Sequence, residues 1–86
     1  MRFVLTDRFK TAYRSLPGVL RRKADKAVRL LAENPRHPSL RLKKIQGTPG
    51  IWEARVDKGC RMTLELHDDF YLLRNIGKHD ETLDNP

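Results

Sequence analysis

IWEARVDKGCRMTLEL, residues 51–66, alternates apolar and polar side chains on both sides of a short segment that contains a glycine. This period of two predicts two strands that each bury one face and that are joined as a β-hairpin. A three-residue loop at 57–59, with Gly59 in the left-handed conformation, keeps every apolar residue on one side. The same register places Arg55 opposite Arg61, so two arginines lie on the face away from the core.

The following strand adds a third arginine to this face. Residues 70–76 continue the alternation, and a two-residue turn at 68–69 would pair Thr63 with Arg74. Like charges on paired strands destabilise a sheet by about 0.2–1 kcal/mol for each direct pair. Such a cluster therefore needs a physical reason.

Two readings of the arginine cluster remain open. Glu53 lies diagonal to Arg61, and Glu65 lies diagonal to Arg74, so the cluster can consist of surface ion pairs of small net value. Alternatively the face binds an anion, since guanidinium groups bind phosphate oxygens in a bidentate manner. The cations on this face outnumber the carboxylates, which favours the anion.

The first forty residues predict a strand and two helices. RFVL at 2–5 is a short strand, and Thr6 or Asp7 can cap a helix behind it. A second helix begins near Pro17 and ends before the ENP segment. The apolar stripes repeat at helical spacing: Phe9, Ala12, Tyr13 and Leu16 in the first helix, and Leu20, Ala24, Ala27, Val28 and Leu31 in the second.

Residues 40–45, LRLKKI, predict a further strand with Arg41 and Lys43 on one face. Helices grouped before a sheet indicate an α+β fold. The predicted architecture is a single small domain over residues 1–86: an N-terminal strand, an α-helical hairpin and an antiparallel β-meander, with the helices packed on one sheet face. The opposite face is left to the arginines.

The composition narrows the class of partner. The chain of 86 residues carries a formal charge of +7 and has a pI near 10.1, which favours polyanions such as nucleic acid or an acidic protein. No apolar run approaches the ~20 residues of a membrane helix. We therefore expect no membrane partner. Cys60 is the only cysteine, so a reducing, cytoplasmic location is expected. No metal-ligand spacing and no phosphate-binding glycine loop is present, so we expect no metal and no small-molecule cofactor.

One titratable residue falls near the arginines. His79 follows the last predicted strand by three residues, at the end of the sheet that holds Arg55 and Arg61. An imidazole beside arginines and a bound phosphate can donate or accept a proton near neutral pH. His37 and His67 lie in polar loops and are interpreted as solvated.

The order of elements, together with GIWEARV, CRMTLEL and DDFYLLRNIGKHDE in the second half, resembles the RelE/ParE superfamily of bacterial toxins. The resemblance covers nearly the whole chain, and it includes NPRHPSLRLKKIQG before the meander. It implies the toxin of a type II toxin–antitoxin pair. RelE-type members imply a ribosome-dependent mRNA endoribonuclease, in which a ribose 2′-hydroxyl attacks the adjacent phosphate in the A site and translation stops.

Carried over by position, the resemblance implies that Arg61, Arg55 and His79 are catalytic. Glu53 stands where some members have lysine, and it would act as a base or orient an arginine. The residues implied for RNA phosphates are Lys43, Lys44, Arg41 and Arg74. The implied partners are a cognate acidic antitoxin, the ribosome and mRNA.

The chain also departs from the pattern of active members. Leu83 stands near the C-terminus, where active members often have an aromatic residue that can stack on a base, and Cys60 replaces a tyrosine before Arg61. Two alternatives therefore stay open. One is a ParE-like toxin that targets gyrase, and the other is a catalytically degenerate module that binds RNA or an antitoxin.

Overall fold

A computed structural model describes all 86 residues of the chain. The elements are, in chain order, β1 (Arg2–Leu5), α1 (Asp7–Arg14), α2 (Gly18–Glu33), a 3₁₀ helix (Pro38–Leu40), β2 (Lys43–Lys44), β3 (Ile51–Asp57), β4 (Cys60–Leu66), β5 (Phe70–Lys78) and α3 (His79–Asp84). The predicted α+β architecture, with a strand first, a helical hairpin next and a meander last, is confirmed.

The strands form one sheet of five in the order β1-β5-β4-β3-β2. Strands β2 to β5 pair as an antiparallel meander, whereas β1 pairs with β5 in parallel. A parallel pair needs a long crossover connection, and here everything from α1 to β4 supplies it. The N-terminal strand therefore closes one edge of the sheet, and β2 forms the other.

Helices α1 and α2 pack against β5 and β3 and enclose the core. Both predicted stripes face inward; Phe9, Ala24, Ala27 and Leu31 are buried, and they meet Leu64 of the central strand. The Thr6 hydroxyl caps α1 by accepting a hydrogen bond from the Phe9 amide at 3.0 Å. The periodic apolar positions thus decide which faces meet.

The β3–β4 hairpin has the predicted register but a different turn. Arg55 does pair with Arg61, yet Asp57 pairs with Cys60, so the loop has two residues and a β-bulge at Val56 restores the register. Gly59 does not adopt a positive φ. Instead the Asp57 carboxylate accepts a hydrogen bond from the Gly59 amide at 3.0 Å, an Asx-type turn that makes the left-handed conformation unnecessary.

A second bulge changes the predicted pairing of β5. Leu64 pairs with Leu73 and Thr63 pairs with Asn75, so Arg74 is the additional residue and does not oppose Thr63. The predicted pair of Thr63 with Arg74 is therefore wrong. The bulge brings the side chain of Asn75 onto the face opposite the helices.

The segment 40–45 is mostly not a strand. Leu40 ends the 3₁₀ helix, Arg41 adopts the left-handed conformation at φ 45°, and only Lys43 and Lys44 pair with β3. Arg41 therefore does not share a sheet face with Lys43, which corrects that prediction. The prolines at 35 and 38 favour a turn here over an extended strand.

Helix α3 is not among the predicted elements. It packs against β4 and β5, and the two residues that follow it in the chain reach the face opposite α1 and α2. There the Asn85 carbonyl accepts a hydrogen bond from Asn75 Nδ2 at 3.2 Å, and the Pro86 carbonyl accepts one from the Thr63 hydroxyl at 2.9 Å. That face is therefore only partly open. None of the helices combines the length and the apolar character needed to cross a membrane.

Gly77 allows α3 to approach the sheet closely. Its φ is +159°, and a Cβ at this position would lie 3.0 Å from the Thr82 hydroxyl oxygen. Gly77→Ala is expected to lower the free energy of unfolding by about 1 kcal/mol, because the methyl group pushes α3 outward. Urea unfolding measures the change. Gly59→Ala is the control, since nothing lies within 4 Å of its added Cβ, and an equal loss there would contradict the assignment.

Candidate functional site

The face opposite α1 and α2 carries the predicted cationic cluster at the hairpin end of the sheet. Register places Arg55, Arg61 and Glu53 on it, and Lys43 joins them because it pairs with Glu53. Arg55 and Lys43 form no ion pair and no side-chain hydrogen bond. The structure therefore brings together three of the predicted cations, and two of them are free to bind an anion.

Arg61 is held rigidly by the hairpin turn. Its Nη1 donates hydrogen bonds to the carbonyl oxygens of Asp57 at 2.7 Å, Cys60 at 3.1 Å and Lys58 at 3.4 Å. Nη2 has no partner, so two N–H donors of a fixed guanidinium group remain free. Donors fixed in advance stabilise developing negative charge without paying for reorganisation during the reaction.

Glu53 is buried beside Arg61. Its carboxylate lies 3.8 Å from Arg61 Nε, and only 9% of its side chain is exposed. A carboxylate held in this way orients the guanidinium group and offsets part of its charge. The geometry favours the orienting role for Glu53 over that of a base.

His79 docks onto the same hairpin through its backbone. Its amide donates a hydrogen bond to the Gly59 carbonyl at 2.9 Å, which places the residue beside the turn that holds Arg61. Its Nδ1 lies 3.0 Å from a carboxylate oxygen of Asp80. Because a carboxylate only accepts, Nδ1 is the donor, and Nε2 is the nitrogen left free to exchange a proton.

Arg74 lies at the other end of this face and is already paired. Its Nη1 donates to Glu65 at 2.5 Å, and its Nε donates to the Pro86 carbonyl at 3.2 Å. Burial by itself raises the pKa of Glu65, but hydrogen bonds from His67 and Arg74 outweigh burial and lower that pKa. This end of the face is thus internally neutralised, as the ion-pair interpretation anticipated.

Two of the predicted phosphate-binding residues lie elsewhere. Lys44 pairs with Trp52, so its side chain projects from the helix side of the sheet, opposite to Lys43. Arg41 lines a separate cavity beside Trp52. Neither residue joins the cluster around Arg61.

Cys60 precedes Arg61 and is chemically protected. Burial, assisted by the charge of Asp57, raises the pKa of its thiol to about 11. A folded pKa above the ordinary value keeps the folded thiol protonated between about pH 9 and 11, while the unfolded thiol ionises. This contribution to stability is present below pH 9 and is lost as the pH rises through the folded pKa.

At pH 8 the folded protein is therefore expected to react with iodoacetamide ~100-fold more slowly than the urea-unfolded chain, because the thiolate is the nucleophile. Mass spectrometry of timed samples measures the two rates at Cys60. Equal rates in the folded and unfolded chains would show that Cys60 is accessible and ionised.

Sequence reasoning missed the residues that cover the face. Thr63 and Asn75 are buried there as hydrogen-bond donors, and Asn85 and Pro86 lie over them. The signal for α3 was weak, since the helix has six residues, although two acidic residues in its first turn favour a helix start. Leu83 is half-buried in α3. No group of three His, Cys, Asp or Glu side chains is placed to hold a metal ion.

The fold is shared with solved toxins. A chain of the intact E. coli RelBE toxin–antitoxin complex is 20% identical, with 92% of this chain and 96% of that chain covered at a TM-score of 0.73. The YoeB/ParE toxin from Agrobacterium tumefaciens is 15% identical, with 92% and 99% covered at a TM-score of 0.79. YafQ from E. coli strain BL21(DE3) is 15% identical, with 95% and 98% covered at a TM-score of 0.76.

No protein-family model and no curated protein matches the sequence. The solved toxin structures nevertheless confirm the resemblance to RelE/ParE toxins at the level of the fold. At identities of 20% and below, the likeness shows the fold alone.

Proposed function

We propose that the protein is a RelE-like toxin that cleaves mRNA in the ribosomal A site and so inhibits translation. The observation that carries the proposal is the Arg61 guanidinium, fixed by three turn carbonyls with Nη2 free, in the same hairpin turn whose Gly59 carbonyl accepts the His79 amide. The likeness of the fold to solved toxins supports it. So does the formal charge of +7, which suits an RNA substrate.

In the proposed reaction, His79 Nε2 takes the proton from a ribose 2′-hydroxyl. The 2′-oxygen then forms a bond to phosphorus while the bond from phosphorus to the 5′-oxygen breaks, and water protonates the departing oxygen. The products are a 2′,3′-cyclic phosphate and a 5′-hydroxyl end. Arg61, with Arg55 beside it, stabilises the negative charge that gathers on the phosphoryl oxygens.

The remaining cations have positioning roles in this proposal. Lys43 lies on the same face and can hold the RNA backbone without reading its sequence. Arg74 can join it only when the residues that cover that end of the face move. Glu53 orients Arg61 and takes no proton.

The partner proposed for the toxin is a cognate antitoxin that is acidic, because a basic face of this kind is neutralised by negative charge. The structural neighbours from E. coli, Methanococcus jannaschii and Pyrococcus horikoshii were solved in complex with their antitoxins. Binding of an acidic chain over Arg55 and Lys43 would block RNA.

The test is cleavage of a defined message on purified ribosomes, with the ends mapped by primer extension. Cuts within the A-site codon are expected, and they should disappear when the ribose at the cut site is 2′-deoxy. Free mRNA is the control for dependence on the ribosome. Ribosome binding without any cut would reject the nuclease and leave the degenerate binding module, which the half-buried Leu83 and the covered end of the face favour. If the protein neither cleaves the message nor binds the ribosome, gyrase supercoiling is the next activity to test.

A further inference from the structure

A second concave site lies on the helix side of the sheet, away from Arg61. It is a cavity of about 420 Å³, within the range of small-ligand pockets. Its lining combines an aromatic ring, two arginines, a histidine and an apolar floor. Its lining includes Arg36, His37, Arg41, Trp52 and Leu66.

The position of this cavity separates it from the proposed active site. Trp52 is near the start of β3 and Leu66 ends β4, whereas Arg55 and Arg61 lie beside the hairpin at the other end. Trp52 pairs with Leu64, which is fully buried beneath the helices, so it belongs to the opposite face as well. A ligand in this cavity cannot be the phosphate held by Arg61.

The cations of the cavity have no partner within the protein. Arg36 and Arg41 are exposed, and their side chains form neither a hydrogen bond nor an ion pair. Lys44 does not line the cavity, but it pairs with Trp52 and projects from the same face of the sheet, which adds positive charge nearby. Cations gathered without carboxylates in a concave site repel one another unless an anion binds between them.

Arg41 is also the only non-glycine residue with a positive φ, at 45°. The left-handed conformation is unfavourable for arginine, whereas glycine and asparagine adopt it readily. Helix ends often adopt this conformation, and here the Arg41 amide donates a hydrogen bond to the Pro38 carbonyl at 3.2 Å and ends the 3₁₀ helix. The cap therefore places an arginine at the rim of the cavity.

His37 supplies a neutral donor. Its Nδ1 accepts a hydrogen bond from the Ser39 amide at 3.2 Å, so the ring proton is on Nε2. Nε2 has no partner in the protein. Trp52 is half-buried and lines the cavity, and an indole ring can stack on a nucleobase, while a phosphate matches the guanidinium groups.

We propose that this cavity, lined by Arg36, Arg41 and Trp52, binds one nucleotide of single-stranded RNA, with its base against Trp52 and its phosphate on the two arginines. The site adds to the proposed function without depending on it. Because β2 is the edge strand and Lys43 and Lys44 point to opposite faces, the same RNA strand can pass around this edge.

Trp52 is the only tryptophan, so its fluorescence reports on the site directly. A short mixed-sequence oligoribonucleotide is expected to quench it to saturation, whereas an abasic oligomer of equal charge binds without quenching. Adenosine monophosphate distinguishes the source of the nucleotide. If it saturates the site at the same concentration as the oligomer, the site serves free nucleotides and the assignment to RNA fails. Equal quenching by a hexaglutamate peptide would likewise overturn it in favour of an acidic protein segment.

Two variants test the arginines. Arg36→Gln and Arg41→Asn are each expected to weaken RNA binding at least ~10-fold, since each removes a charged hydrogen-bond donor. Asparagine tolerates the left-handed conformation, so Arg41→Asn should not lower the thermal midpoint. Arg14→Gln removes one exposed charge at the end of α1 and is the matched control, expected to change binding less than ~2-fold. Unchanged binding in both cavity variants would refute the site.

Three further variants separate this site from the nuclease. Trp52→Phe keeps an aromatic ring and should retain the affinity for fluorescein-labelled RNA. Trp52→Leu should lower that affinity by ~5-fold or more. Arg61→Ala should quench like the parent with the same RNA even though cleavage is lost. Loss of quenching in Arg61→Ala would place the RNA on the other face and reject the second site. Absence of cleavage with normal quenching would reject only the nuclease.

Discussion

Arg61→Ala is expected to lower the rate of A-site cleavage by about 10²–10³-fold, the usual result of removing one fixed donor to a developing oxyanion. Arg61 is the arginine of the hairpin whose guanidinium is immobilised by three backbone carbonyls, whereas Arg55 has no side-chain hydrogen bond. The loss should therefore appear in the single-turnover rate on programmed ribosomes, with little change in ribosome binding. An unchanged rate would refute the assignment of the active site.

The same substitution also affects stability, and this effect must be separated from catalysis. It leaves the buried carboxylate of Glu53 without its cation, which should lower the free energy of unfolding by about 3 kcal/mol. The double variant Arg61→Ala/Glu53→Gln removes the orphaned charge and should recover much of the stability. Cleavage should remain lost in the double variant, because the donor is still absent.

Glu53→Gln alone then tests the role of Glu53. If Glu53 only orients Arg61, the cleavage rate should fall by ~10-fold or less. If Glu53 is the general base, the rate should fall by ~10²-fold or more. A loss in the larger range would make Glu53 the base and would reassign His79.

His79→Gln is expected to lower the cleavage rate by about 10²–10⁴-fold, the contribution typical of one positioned acid or base. Glutamine keeps a polar side chain of similar reach but cannot exchange a proton. The backbone hydrogen bond from residue 79 to the Gly59 carbonyl does not depend on the side chain, so the docking should persist. Stability should be unchanged, because the side chain of His79 is 45% exposed and its one polar partner is the exposed Asp80.

His67→Gln is the matched control for this prediction. The side chain of His67 is 44% exposed and also contacts a carboxylate, that of Glu65, but it lies at the far end of the sheet. Its cleavage rate should remain within ~2-fold of the parent. If His67→Gln loses as much activity as His79→Gln, proton transfer by His79 is not the explanation.

Much of this architecture could be predicted because its signals are local and periodic. The alternation in residues 51–66 decided which face of the hairpin is buried, and the helical spacing decided which side chains of α1 and α2 meet the sheet. The pairing of Arg55 with Arg61 followed from the same pattern. A one-residue slip would bury these charges, so only one register was available.

Other features could not be predicted because non-local energies decide them. A loop of three residues and a loop of two residues with a bulge both pair Arg55 with Arg61. The choice between them depends on which turn gives the Asp57 carboxylate its hydrogen bond. The conformation of Arg41 depends on the 3₁₀ helix before it. Helix α3 is too short to be stable alone and exists through its contacts with the sheet.

The sequence by itself determined the α+β class, the helical stripes, the meander and the presence of Arg61 and Arg55 on one face away from the core. The tertiary structure alone decided that β1 pairs in parallel with β5, that α3 forms after β5 and packs on the sheet, and that Arg36, Arg41 and Trp52 line a second cavity. The physical reason is the range of the interactions. Hydrophobic periodicity acts within each element, whereas edge pairing, short helices and loop cavities are stabilised only by residues distant in the chain.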